Sequence, residues 1–222
     1  MVKIKMCGFT RSQDIALAAR AGVDAFGFIF FSGSPRCIGV QEAKSLVSEL
    51  PPFATAVALF VNPEREEVER VLQQVPIDLL QFHGDETSTF CEQFGKPYIK
   101  VVKLGVGPQV DESFIDPLEG ALSSHIKARG ILVDASVAGQ VGGTGMAVDW
   151  VLLNRVLESS ETLKAARSRL IVAGGLNPDN VGDCVNVLSP YAVDVSSGIE
   201  DETPGKKSAG KIQAFVNSVR DG

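Results

Sequence analysis

Residues 170–178 read Leu170-Ile171-Val172-Ala173-Gly174-Gly175-Leu176-Asn177-Pro178: a short apolar run, a pair of glycines, and an Asn-Pro step into a helical stretch. The apolar, β-branched part is strand-like. The glycines suit a tight turn, and Asn177-Pro178 suits an N-cap followed by proline at the first helical position. The same handover recurs on both sides of this stretch. Downstream, Val193–Ser196 leads through Ser197-Gly198 to a helical pattern over Ala209–Val219. Upstream, Lys3–Cys7 precedes Gln13–Ala21, Ala25–Phe30 precedes Gln41–Leu50, and Ala54–Val61 precedes Glu64–Gln74. Leu79–His83 then leads to Glu86–Phe94, Tyr98–Leu104 to Asp111–Leu122, Ile131–Ala135 to Trp150–Leu157, and Leu170–Ala173 itself to Asn177–Val187.

Eight strand-then-helix units share 222 residues, about 28 apiece, which suits a barrel of this kind. Alternating units imply parallel pairing through right-handed crossovers, and eight of them can close on themselves. The expectation is an α/β fold, a single (β/α)8 TIM barrel over residues 1–222. Asn62-Pro63, ahead of Glu64, Glu66 and Glu67, reads as a second helix start with acids on the positive end. Gly22 and Gly95 fall where helices should stop. The connection Ser136–Asp149 is long and carries Gly139, Gly142, Gly143 and Gly145, a pattern more often functional than accidental.

Composition narrows the function classes. Cys7, Cys37, Cys91 and Cys184 are scattered without a CxxC pair, which fits reduced thiols and a cytoplasmic setting. With two histidines in the chain, no zinc triad is expected and no metal. Gly105-Val106-Gly107 lacks a dinucleotide frame, so no cofactor is expected. A net charge of −6 argues against wrapping nucleic acid. No apolar run nears the ~18 residues of a membrane span, and the opening MVKIKMCGFT is unlike a signal peptide. Exposed helix faces show no self-association stripe, leaving monomer or homodimer open.

In such barrels the active site lies at the C-terminal ends of the strands. Gly174 and Gly175 after the seventh strand, with Ser196, Ser197 and Gly198 after the eighth, could bring backbone N–H groups up to a phosphate; each turn alone would be a mere connection. Cys7 ends the first strand on the same face as Lys3 and Lys5. It is either an inert filler or a thiolate base, the latter needing nearby positive charge to ionise well below the usual ~8.5. Asp134 ends the sixth strand, as a catalytic acid or as a cap on the glycine-rich connection. Asp194 reads as support for such a pair or as a structural hydrogen-bonder, and His83 as an orienting partner. Arg36 is either a solvated surface residue or a fork for a substrate carboxylate.

Taken together, the strand ends resemble the phosphoribosylanthranilate isomerase family of tryptophan biosynthesis. The matching segments are Lys5–Thr10, Gly27–Phe30, Ser34–Arg36, Leu59–Asn62, Leu80–Gly84, Leu132–Asp134, Gly142–Gly145, Ala173–Val181 and Val193–Glu200, in the family's order. The resemblance implies that Cys7 is the general base and Asp134 the general acid. It implies that Arg36 holds the anthranilate carboxylate, and that the Gly174-Gly175 and Ser196-Ser197-Gly198 loops hold the phosphate. His83, Gly143 and Asp194 are implied as further substrate-side positions, on a phosphosugar–anthranilate substrate that needs no cofactor. Met146, Val148 and Ser208 depart from the family pattern, which has a lysine, an aromatic and an acidic residue there. Rival readings are another phosphosugar isomerase or epimerase barrel, a Schiff-base aldolase using Lys5, Lys100 or Lys103, and a non-catalytic phosphosugar binder.

Overall fold

The computed structural model describes residues 1–103, 115–134 and 150–222. Its strands are β1 (Lys3–Cys7), β2 (Ala25–Ile29), β3 (Thr55–Phe60), β4 (Leu79–Phe82), β5 (Tyr98–Lys103), β6 (Gly130–Asp134), β7 (Leu170–Ala173) and β8 (Ala192–Val195). All eight pair in chain order and in parallel, and β8 closes on β1 with Lys5 opposite Asp194. The helices are α1 (Ser12–Ala21), α2 (Val40–Val47), α3 (Arg65–Gln74), α4 (Ser88–Glu92), α5 (Ile115–Ser124), α6 (Trp150–Glu158), α7 (Glu161–Ala166), α8 (Val181–Leu188) and α9 (Ala209–Asp221). The closed eight-stranded barrel expected from the sequence is the observed fold.

Strand alternation divides the apolar residues between two cores. Outward residues such as Ile4, Met6, Phe26, Phe28, Phe60, Phe82, Ile131, Val172 and Val193 pack against the helices in the main core. Rings follow one another around this layer, from Phe9 and Phe26 at 5.2 Å to Phe30 and Phe60 at 5.4 Å and Phe82 and Tyr98 at 6.0 Å. Inward residues Leu79, Ile99, Val101, Leu132, Ile171, Ala173 and Ala192 fill the barrel itself. Cys7, Ile29 and Leu59, with Val61 against them, form a smaller apolar cluster where their strands end. The interior is therefore plugged with side chains, and a ligand can only be met at the mouth.

Several helix boundaries differ from expectation. Asn177 does not cap a helix that starts at its proline; α8 begins at Val181 with Asn180 before it, and the Asn177 side chain accepts a hydrogen bond from Asp179 N at 2.8 Å within a turn. Asn62 sits at φ +46° and accepts from Asp85 N at 2.6 Å, while Glu64 precedes α3. The Asn177 side chain satisfies its own turn, the Asn62 side chain ties the end of β3 to the loop after β4, and in both places the proline lies outside the helix. Glu86 lies outside α4, which is only five residues long. Gly22 does end α1 in the left-handed conformation, and Gly95 is left-handed beyond α4. The short α7 escaped the sequence reading, although Ser160 accepts a capping bond from Leu163 N at 3.3 Å. Among the described residues, no helix is long and apolar enough to cross a membrane.

Candidate active site

The barrel's closure brings together strand ends that lie far apart in the sequence. Cys7 is the last residue of β1, Asp134 the last of β6, His83 follows β4, and Asp194 is the penultimate residue of β8. Cys7 and Asp134 both continue the inward rows of their strands, two residues beyond Lys5 and Leu132. A thiol and a carboxyl thus stand at the same rim, on opposite sides of the β7–β8 arc. Gly143 and the rest of the Ser136–Asp149 connection, with Met146 and Val148, lie outside the described residues.

Cys7 is 4% exposed. Gly27 on β2 makes room for it, since a Cβ there would stand 2.6 Å from the sulfur. Beneath the thiol, Lys5 Nζ donates to both oxygens of Asp194 at 2.9 and 3.0 Å. Burial opposes the Lys5 charge, but Asp194 and the Cys7 sulfur outweigh it and raise the ammonium above its ordinary 10.5. Burial pushes the Cys7 thiol up and Asp194 adds to that, while Lys5 and Lys207 pull it down; the balance lies above the ordinary 9.0. Lys5 supplies the positive charge expected of it, yet Asp194 cancels much of its effect.

Across the mouth, His83 Nε2 lies 3.1 Å from Asp134 Oδ2. His83 thus has a side-chain partner in the carboxyl on β6. Asp194 is close enough to Asp134 for their negative charges to repel, and close enough to His83 to be favoured by it. Cys7, Lys5, Asp194, Asp134 and His83 therefore form one electrostatic unit around the rim.

The two glycine-bearing loops lie side by side after β7 and β8. Gly174 and Gly175 hold φ of +88° and +67°, left-handed conformations that favour glycine. Gly198 lies so close to the β7 loop that a Cβ on it would stand 1.9 Å from the Leu176 carbonyl oxygen, so the two loops touch backbone to backbone. The Ser196 hydroxyl, however, donates to the Cys7 carbonyl at 3.0 Å. It fastens β8 to β1.

Arg36 is not a solvated surface residue. Its Nε and Nη2 donate to Glu200 Oε1 and Oε2 at 2.7 and 2.6 Å, a fork-to-fork pair with the arginine side chain 12% exposed. Among the described residues its Nη1 makes no hydrogen bond. Sequence reasoning assigned no role to Glu200 or to Lys207, which is fully buried and donates to the carbonyls of Cys7 and Ser196 at 2.7 and 3.1 Å and to Glu200 at 2.9 Å. The signal that could have found them is a lysine and a glutamate flanking a Pro-Gly turn directly after the eighth strand. Ser208 stands at the N-cap of α9 without a side-chain cap bond.

A second buried pair lies behind the rim. Lys100 donates to Glu86 Oε2 at 2.7 Å and to the Gly84 carbonyl at 2.5 Å, while Glu86 Oε1 accepts from Asn62 N and Gly84 N at 2.7 and 3.1 Å. Lys100 alternates with the inward Ile99 and Val101, so it faces the helices. A Schiff-base role for Lys100 has no access to the mouth, and Lys5 is held charged by Asp194.

The family model for N-(5'phosphoribosyl)anthranilate (PRA) isomerase matches residues 4–218. The N-(5'-phosphoribosyl)anthranilate isomerase of Pseudomonas putida is 46% identical over 219 residues, covering 99% of this chain and 98% of the relative. That of Azotobacter vinelandii is 45% identical over 220 residues, with 99% and 98% covered. The solved phosphoribosyl anthranilate isomerase of Thermotoga maritima superposes with a TM-score of 0.84 at 34% identity, each chain wholly covered. Another solved isomerase of this name, in complex with reduced 1-(o-carboxyphenylamino)-1-deoxyribulose 5-phosphate, superposes at 0.79 with 32% identity and full coverage of both chains. With its closed barrel, its rim residues and these matches along its length, the chain belongs to the N-(5'-phosphoribosyl)anthranilate isomerase family.

Proposed function

We propose that this protein catalyses the Amadori rearrangement of N-(5'-phosphoribosyl)anthranilate to 1-(2-carboxyphenylamino)-1-deoxyribulose 5-phosphate in tryptophan biosynthesis. The observation that carries the reading is the pairing, at one rim, of an inward thiol on β1 with an inward carboxyl on β6 held by His83. An aminoaldose-to-aminoketose shift needs one acid and one base at different atoms of the sugar. Asp134 protonates the ring oxygen, and the C1′–O bond breaks as the anthranilate nitrogen lone pair forms the iminium. The Cys7 thiolate removes the C2′ proton, and that electron pair gives the enolamine, which tautomerises to the aminoketose.

The surroundings suit each end of the substrate. The paired β7 and β8 loops offer main-chain donors to the phosphate. Ile29, Leu59 and Val61 beside Cys7 offer an apolar wall to the aromatic ring, and Arg36 Nη1 is available to its carboxylate. Burial holds the thiol above its ordinary value, so forming the base depends on nearby positive charge, with Lys5 the strongest source.

Anthranilate fluorescence should vanish as the enzyme consumes its substrate, and Cys7→Ser and Asp134→Asn should each slow turnover while leaving the fold intact. Full activity in either variant would remove that residue from its role. Reduction by borohydride that trapped substrate on a lysine would favour an aldolase instead.

A further inference from the structure

Glu200 is 4% exposed and sits two residues beyond Gly198. Four donors converge on it. Oε1 accepts from Arg36 Nε at 2.7 Å, Lys207 Nζ at 2.9 Å and Gly205 N at 3.0 Å, and Oε2 accepts from Arg36 Nη2 at 2.6 Å. Although burial opposes its charge, Arg36 and Lys207 hold the carboxyl below the ordinary 4.5. On its other side Arg36 lies against the end of β1, where a Cβ on Gly8 would stand 2.5 Å from Arg36 Cδ. Lys207 closes the circuit by reaching the carbonyls of Cys7 and Ser196.

We infer that Glu200 is a positioning residue for the reaction proposed above: it aims the free Nη1 edge of Arg36 at the substrate's ring carboxylate, and through Lys207 it fixes that clamp to the strand end bearing the Cys7 base. The inference rests on the isomerase reading. The physical argument is one of preorganisation. A loop arginine without a partner samples many rotamers, and a ligand must then order it at the expense of affinity. The planar carboxylate of Glu200 takes two of the arginine's N–H groups and removes that freedom before the ligand arrives.

Charge and position predict opposite signs when Glu200 is neutralised. Glu200→Gln removes a negative charge beside Arg36. If net charge alone governed the site, a carboxylate ligand would bind more tightly. If orientation governs it, the ligand binds less tightly.

The test compares wild type, Glu200→Gln, Arg36→Ala and the double variant on two substrates. One is N-(5'-phosphoribosyl)anthranilate and the other is its aniline counterpart, which lacks the ring carboxylate. We expect Glu200→Gln to raise KM for the carboxylate substrate about tenfold with kcat within about threefold. On the aniline counterpart Glu200→Gln should match wild type within about twofold, and the double variant should be no worse than Arg36→Ala alone. An unchanged or lower KM, an equal loss on both substrates, or full additivity with Arg36→Ala would overturn the inference. Should Glu200→Gln fail to fold, Glu200→Asp keeps the charge but shortens the reach. It should still raise KM only for the carboxylate substrate, and equal effects on both substrates would be fatal to the idea. A wild-type protein that leaves N-(5'-phosphoribosyl)anthranilate unconverted would overturn the isomerase reading instead.

Discussion

Two buried lysine–glutamate pairs flank the barrel, and they resemble each other closely in composition and length: Lys207–Glu200 at 2.9 Å and Lys100–Glu86 at 2.7 Å. Both lysines also donate to main-chain carbonyls, and both glutamates also accept from main-chain N–H groups. They differ in what lies at the far end. Glu86 spends itself on Asn62 N, Gly84 N and Lys100, so its network closes on the turn that carries His83. Glu200 reaches out to a third side chain, Arg36, whose Nη1 makes no hydrogen bond among the described residues. Burying two charges costs several kcal/mol per ion unless every lone pair and proton is matched. Lys207 meets that demand with three acceptors and Lys100 with two among the described residues, and only the β8–β1 site extends to a further charged side chain, Arg36. Similar ion pairs can therefore serve the fold at one place and the ligand at another, and the network around each pair tells them apart.

The largest expected effects test the rim that these pairs support. Cys7→Ser should lower kcat by about 10²–10⁴-fold, and Asp134→Asn by a similar factor. Steady-state fluorescence kinetics would read both, with circular dichroism confirming an unchanged fold. Next comes the outer pair. Glu86→Gln leaves Lys100 buried without its counter-charge and should cost about 3–5 kcal/mol of stability, read by urea unfolding. Below the unfolding transition its KM should stay near that of wild type. A selective rise in KM would show that the outer pair also serves the ligand and would erase the contrast.

Smaller effects sharpen the comparison. Arg36→Ala should raise KM with little change in kcat, and an unchanged KM would reject the carboxylate clamp. The pH profile follows from Cys7. Its base form is the deprotonated one and its pKa in the free enzyme lies above 9.0, so kcat/KM should climb from neutral pH through that value. A profile already flat at neutral pH would show a thiolate in the free enzyme. The smallest effect concerns His125, whose ring nitrogen Nδ1 lies 3.2 Å from the Tyr98 hydroxyl close to the outer pair. Burial, helped by Lys100, lowers its pKa below 6.5. The unfolded chain then binds the proton more readily, so this contribution to stability is whole above pH 6.5 and fades as the pH falls towards the folded value. Unfolding midpoints across this range should show the decline, and His125→Gln should flatten it.

Much of this was legible in the chain because strand–turn–helix repetition is a local property. Residues 170–178 announce a strand, a turn and a helix, and eight such announcements leave few ways to close a sheet. The rim residues were legible because each stands alone at the end of an apolar run: Cys7 after Ile4 and Met6, Asp134 after Ile131, Leu132 and Val133. The buried ion pairs were not legible. Glu200 and Lys207 meet Arg36 and the Cys7 carbonyl only after β8 has closed on β1, across as many as 200 residues of sequence. Glu86 was placed in a helix because its neighbours have helical periodicity, whereas its oxygens are engaged by the β3 and β4 turns. Asn177 and Asn62 illustrate the same limit at close range, since an Asn-Pro step suits a turn as well as a helix start.

Gly198 fixes a distance in the fold. Because its hydrogen rests where any side chain would strike the Leu176 carbonyl, the gap between the loops after β7 and β8 is set by two main chains in mutual contact. Such a gap does not breathe with rotamer changes around it. Whatever side chains are exchanged nearby, the ends of β7 and β8 keep their spacing, and a phosphate received there, on the reading proposed above, would meet a frame of constant width.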